Sequence, residues 1–127
     1  MAIIGHGIDA VEIARIGRML EAHGERFRER CFTAGERAYA DTSRRAAEHF
    51  AARFAAKEAV MKALGTGWAR GVGWTDIEVV REDSGRPGVR LSGVAAGFAR
   101  GLGIERWTLS LTHTGSIAVA SAIAEGG

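Results

Sequence analysis

The chain has one cysteine, one proline and one tyrosine among its 127 residues. No apolar run approaches the ~20 residues that cross a bilayer, so no membrane partner is expected. The lone Cys31 excludes an internal disulfide framework and a multi-cysteine zinc site, and fits packing in a reducing, cytoplasmic compartment. No basic stretch precedes the short apolar run in residues 1–8, so a secretory signal is not expected. Aromatics are sparse at 7%, and the net charge is only +2. The excess cations all lie in the first half, where residues 1–62 hold eleven Lys/Arg against nine Asp/Glu. A pI near 9.2 with that bias fits an anionic partner, whether nucleotide, nucleic acid or acidic protein. What is plentiful is ordinary: 46% hydrophobic and 25% charged residues, enough for the core of one domain over residues 1–127.

The chain opens on a short β-branched segment ending at Ile8, and Ile13, Ile16 and Leu20 then show helical spacing. Asp9 and Glu12 have the spacing of a capping box for that helix, with Gly24 as its end. Thr33 and Glu36 signal a second, short helix through about Ala40. The longest helix is predicted from Thr42 or Ser43 to Leu64, stopped by Gly65 in the left-handed position after the last turn. A Trp/Gly-rich loop, Trp68–Trp74, follows, then strands at 77–80 and 89–91 and a short helix marked by Val94, Phe98 and Leu102. Trp107, Leu109 and Leu111 alternate with Thr108, Ser110 and Thr112, the mark of a half-buried strand. After a turn at 114–116 the chain returns as a small-residue strand over 117–123. Helices and strands are intermixed, so the class is α+β.

Phe50, Phe54, Glu58 and Met61 fall on one helical face, and a carboxylate on an apolar stripe is costly unless paired or metal-bound. Lys62, four residues after Glu58, offers an ordinary helical ion pair; Asp9 has the equally ordinary role of N-cap. The alternative is that the two carboxylates bind Mg²⁺, which takes one or two protein carboxylates and completes its octahedron with water and substrate phosphate. Arg53, Lys57 and Lys62, followed by Gly65-Thr66-Gly67, set cations and backbone N–H groups near one helix end, a combination suited to phosphate. His113 ends a strand, where a neutral structural histidine is usual.

Three segments together resemble the holo-(acyl-carrier-protein) synthases, the small 4′-phosphopantetheinyl transferases. They are Gly5 through Ile16, Arg53 through Gly67 (Arg-Phe-Ala-Ala-Lys-Glu-Ala-Val-Met-Lys-Ala-Leu-Gly-Thr-Gly), and Leu109-Ser110-Leu111-Thr112-His113-Thr114. The resemblance implies the small α+β transferase fold, one long helix against an antiparallel sheet, assembled as a homotrimer with sites between subunits. It implies transfer of 4′-phosphopantetheine from coenzyme A to a serine of apo acyl carrier protein, releasing adenosine 3′,5′-bisphosphate, for a carrier of fatty-acid or of polyketide synthesis. Asp9 and Glu58 would hold Mg²⁺, with Glu58 or a metal-bound water taking the serine proton. Lys62 would reach coenzyme A phosphates, Gly65, Thr66 and Gly67 would shape the nucleotide pocket, and His113 and Thr114 would lie near the nucleotide. Arg15, Arg18 and Arg45 would dock the acidic carrier. Many members have a histidine five residues before His113; here the position is Thr108, and that second histidine is missing. Trp68 and Trp107 have no counterpart role.

A different class, a basic non-catalytic module for nucleic acid or nucleotide, would use Arg15, Arg18, Arg26, Arg28, Arg30, Arg44 and Arg45. Interleaving with Glu12, Glu21, Glu25 and Glu29, and the absence of a nucleic-acid motif, argue against it.

Overall fold

Alanine sets how closely this chain packs. The computed structural model describes residues 1–67 and 70–127. They form β1 (Ala2–Glu12), α1 (Ile13–Cys31), α2 (Ala34–Asp41), α3 (Ala46–Leu64), a 3₁₀ turn at Trp74–Asp76, β2 (Ile77–Arg81), β3 (Pro87–Leu91), α4 (Gly93–Gly101), β4 (Ile104–His113) and β5 (Ile117–Gly126). β1, β5 and β4 make one antiparallel sheet in that order, and β2 with β3 a separate hairpin. α3 lies on the larger sheet, mostly over β1 and β5. The facing residues are small: Ala118, Ala120, Ala122 and Ala124 of β5 are fully buried, as are Ala55, Ala56 and Ala59 of α3. Phe50, Phe54 and Met61 fill the other side of the helix with Phe27, Phe32 and Trp74, whose ring stacks on Phe54 at 4.7 Å. A helix buried on nearly all sides has no single apolar stripe, which is why Arg53 and Lys57 sit inside it.

Residues paired across strands share a face. Gly5, Gly7, Asp9 and Val11 therefore lie with the β5 alanines, toward α3. His6, Ile8 and Ala10 share the opposite face with Val119, Ser121 and Ile123 and with Thr108, Ser110 and Thr112 of β4. That face is uncovered, and Ile8 is 56% exposed.

Three sequence expectations are corrected. Asp9 is no helix cap: β1 runs on to Glu12, with Asp9 opposite Ala120 and Glu12 opposite Ile117. Helix α1 starts at Ile13 without a side-chain cap, because ladder bonds to β5 hold the chain extended through the proposed capping box. Gly24 breaks α1 through its positive φ of 47°, yet the chain re-enters helix and carries Phe27 and Cys31 into the core. α3 begins at Ala46 rather than Thr42 or Ser43, because the Ser43 hydroxyl accepts the Arg45 N–H in a turn. The Thr33–Glu36 capping box, the left-handed Gly65 and the alternation of β4 are as expected. Among the described residues no helix is long and apolar enough to cross a membrane.

Candidate functional site

Extending β1 past Ile8 is what carries Asp9 to α3. The Lys62 ammonium bridges the two elements, donating to the Ile8 carbonyl at 2.9 Å and to Asp9 Oδ1 at 3.1 Å. The helical Glu58–Lys62 pair is thus replaced by a strand-to-helix pair. Glu58, one turn before Lys62, is half-buried. Burial first, and the Asp9 charge second, push its carboxyl above the ordinary carboxylate range; Arg15 and Lys62 pull the other way. Asp9, Glu58 and Lys62 therefore meet at one place, with Arg15 of α1 near enough to act on Glu58.

This donor set fits Mg²⁺. Two carboxylates that repel each other accept a hard cation, and an ammonium already sits on Asp9, where positive charge is stabilised. Among the described residues no group of three or more His, Cys, Asp or Glu side chains comes together.

The other expected phosphate ligands divide. Lys57 is not one of them. Its ammonium is fully buried, paired with Glu36 Oε1 at 2.7 Å, and donates to the carbonyls of Trp74 and Ile77. Burial pulls its pKa down, with Glu36 opposing. Its work is to tie α3 to α2 and to the segment entering β2. Gly65 and Thr66 also lose their expected role as open N–H donors. Gly65 N–H bonds to Lys62 O and Thr66 N–H to Met61 O, the two bonds of a Schellman end, while the Thr66 hydroxyl donates to Gly67 O. Those two amides are therefore engaged within the chain and not open to a phosphate.

Arg53 is 3% exposed, and among the described residues it has no carboxylate partner and its Nε has no hydrogen-bond acceptor: it lies over the Tyr39 ring and donates weakly to His49 O. Arg81 approaches the same ring. Next to this group, Arg45 and His113 both approach Glu48, at 3.9 and 4.0 Å. The Thr114 hydroxyl accepts the N–H groups of Ser116 and Ile117 and closes the β4–β5 turn. Arg53 and Lys62 are nine residues apart on α3, about 13 Å along the axis and on opposite sides of it. Within one chain the expected metal and nucleotide residues thus form two separate groups: Asp9, Glu58 and Lys62 where β1 meets α3, and Arg53, His113 and Thr114 elsewhere, with the expected carrier contact Arg45 beside the second.

Arg15 and Arg18 are both exposed on α1, opposite the buried Ile13 and Ile16. Thr108 lies on the uncovered sheet face, its hydroxyl donating to Glu125 Oε1. Trp107 is half-buried against the core; Trp68 lies outside the described residues. A cleft of about 660 Å³ between β4 and the β2–β3 turn, lined by Arg86, Pro87 and Arg106 among others, holds none of the expected site residues. Sequence reasoning missed Glu36 as a buried counter-ion, since its capping-box role already explained it. It also missed Tyr39, His49 and Arg81, which carry no motif.

Comparisons with known proteins place the chain in a family. Residues 5–121 match the 4′-phosphopantetheinyl transferase superfamily. Holo-(acyl-carrier-protein) synthases from Solibacter usitatus and Anaeromyxobacter dehalogenans are 47% and 51% identical, over 97% and 98% of this chain and 98% and 97% of theirs. The holo-(acyl-carrier-protein) synthase of Bacillus anthracis, solved in complex with CoA (3′,5′-ADP), superposes with a TM-score of 0.81 at 38% identity, covering 98% of both chains. That of Neisseria meningitidis superposes at 0.89 with 31% identity, over 98% and 99% of the two chains. Sequence and fold together make this chain a member of the 4′-phosphopantetheinyl transferase superfamily and, within it, of the holo-(acyl-carrier-protein) synthases.

Proposed function

We propose that this protein, a single cytoplasmic domain, moves 4′-phosphopantetheine from coenzyme A to a serine hydroxyl of apo acyl carrier protein, releasing adenosine 3′,5′-bisphosphate. The observation that carries it is the meeting of Asp9, Glu58 and Lys62 across β1 and α3. Asp9 and Glu58 would hold Mg²⁺, which when bound offsets the diphosphate charge and stabilises the leaving phosphate. Lys62, half-exposed, exchanges its contact with Asp9 for a phosphate oxygen of coenzyme A. Glu58, or a water held at that site, would take the serine proton as the serine oxygen bonds to phosphorus and the diphosphate P–O bond breaks. Arg15, beside Glu58, and Arg18 present cations to the acidic carrier where its serine must arrive, with Arg45 as a further contact.

The expected metal and nucleotide groups on opposite sides of α3 support a homotrimer in which one subunit supplies Asp9, Glu58 and Lys62 and its neighbour supplies Arg53, His113 and Thr114. The uncovered sheet face with Ile8, Val119 and Ile123 supports the same assembly. The test is mass spectrometry of apo carrier protein incubated with coenzyme A, Mg²⁺ and this protein. A gain of one phosphopantetheine group is expected; tight DNA binding with no mass change would overturn the reading in favour of a binding module.

A further inference from the structure

β1 lacks a side chain at two positions, and at both it lies against the backbone of α3. A Cβ on Gly7 would stand 1.8 Å from the Ala59 carbonyl oxygen, and one on Gly5 would stand 2.1 Å from that of Ala63. Neither glycine has positive φ, so space and not backbone conformation demands them. Their places are tied to the site: Ala59 follows Glu58, Ala63 follows Lys62, and Gly7 precedes Asp9 by two residues on the same strand face. Strand and helix touch, backbone to backbone, within two residues of both carboxylates.

We infer that Gly7 is a positioning residue: its missing side chain seats β1 on the Ala59 carbonyl and sets the gap between Asp9 and Glu58. This rests on the Mg²⁺ reading above. Real Cβ atoms essentially never approach within 3.0 Å, so an alanine at position 7 moves the strand off the helix by at least about 1.2 Å. Magnesium holds its ligands near 2.0–2.1 Å in a nearly ideal octahedron, and a shift of that size cannot be absorbed by it. A glycine that served packing alone would affect stability without a preference for one ligand length at position 9.

That difference can be measured on four proteins: wild type, Gly7→Ala, Asp9→Glu and the double variant, each folded by circular dichroism, with Mn²⁺ binding followed by electron paramagnetic resonance. Each single change is expected to weaken Mn²⁺ by about 10–100-fold. The double variant should bind more tightly than either single, because glutamate adds one C–C bond, about 1.5 Å of reach, to a strand moved away. Additive weakening in the double variant overturns the inference alone. A wild type that binds no Mn²⁺ overturns the metal reading and the inference with it. If Gly7→Ala does not fold, the same set built on Gly5→Ala moves the same strand against Ala63, and the same recovery by Asp9→Glu is required.

Discussion

Replacing Lys57 by methionine separates its two readings, because the aliphatic volume stays while the charge goes. Glu36, 1% exposed, would keep the Thr33 and Val79 N–H groups, each at 2.9 Å, but lose its ammonium. The carbonyls of Trp74 and Ile77 would lose a donor as well. Removing one partner of a buried pair costs about 3–5 kcal/mol, and we take about 4. For a chain of this size that lowers Tm by roughly 12–20 °C. Adding Glu36→Gln removes the stranded charge and should restore about 1–2 kcal/mol, a coupling that independent sites do not show. Melting is compared at one fixed protein concentration, since self-association stabilises by mass action. Coenzyme A kinetics, read well below the mutant Tm, should be nearly unchanged. A phosphate ligand would behave in the opposite way: losing one charge-assisted contact of about 1.5–3 kcal/mol raises the coenzyme A KM tenfold or more with stability intact. A Lys57→Met protein with wild-type Tm and such a KM would refute the buried-pair reasoning.

Asp9→Ala and Glu58→Ala should each abolish nearly all transfer while leaving a folded protein, and a chelator should mimic both with Mg²⁺ restoring the wild type; activity surviving in both variants would remove the metal assignment. The carboxyl of Glu58 binds its proton more tightly folded than unfolded, so metal-free stability should fall as pH rises from the ordinary carboxylate range through its raised pKa. Melting curves against pH should show that slope in the wild type and not in Glu58→Gln, and Mg²⁺, which needs the ionised carboxylate, should reverse it. Arg15→Glu with Arg18→Glu should raise the carrier KM strongly and spare coenzyme A. It should also remove much of the salt sensitivity of carrier binding, as screening shortens to ~3 Å at 1 M. Identical carrier KM and salt dependence in wild type and double variant would make both arginines a solvated face.

What the sequence determined by itself is local. The left-handed stop at Gly65, the Thr33–Glu36 box and the alternation of β4 each depend on residues within a few positions of one another, and each stands in the fold. The three family segments singled out Asp9, Glu58 and Lys62 for a related reason: their residue types were legible before their contacts were. The tertiary structure decided everything that joins distant positions. Asp9 satisfied a local capping pattern, yet pairing of β1 with β5 outweighed it, since an eleven-residue strand gains many ladder bonds where a cap gains one. Lys62 chose Asp9, 53 residues away, over Glu58 on its own helix. Lys57, adjacent in sequence to a site residue, points the other way, because successive helical side chains diverge by about 100° and only packing says which direction is the interior. The two glycines of β1 read as strand punctuation until α3 lay against them; the distance between a strand and a helix is written in no segment of the chain, and the absent Cβ atoms set it.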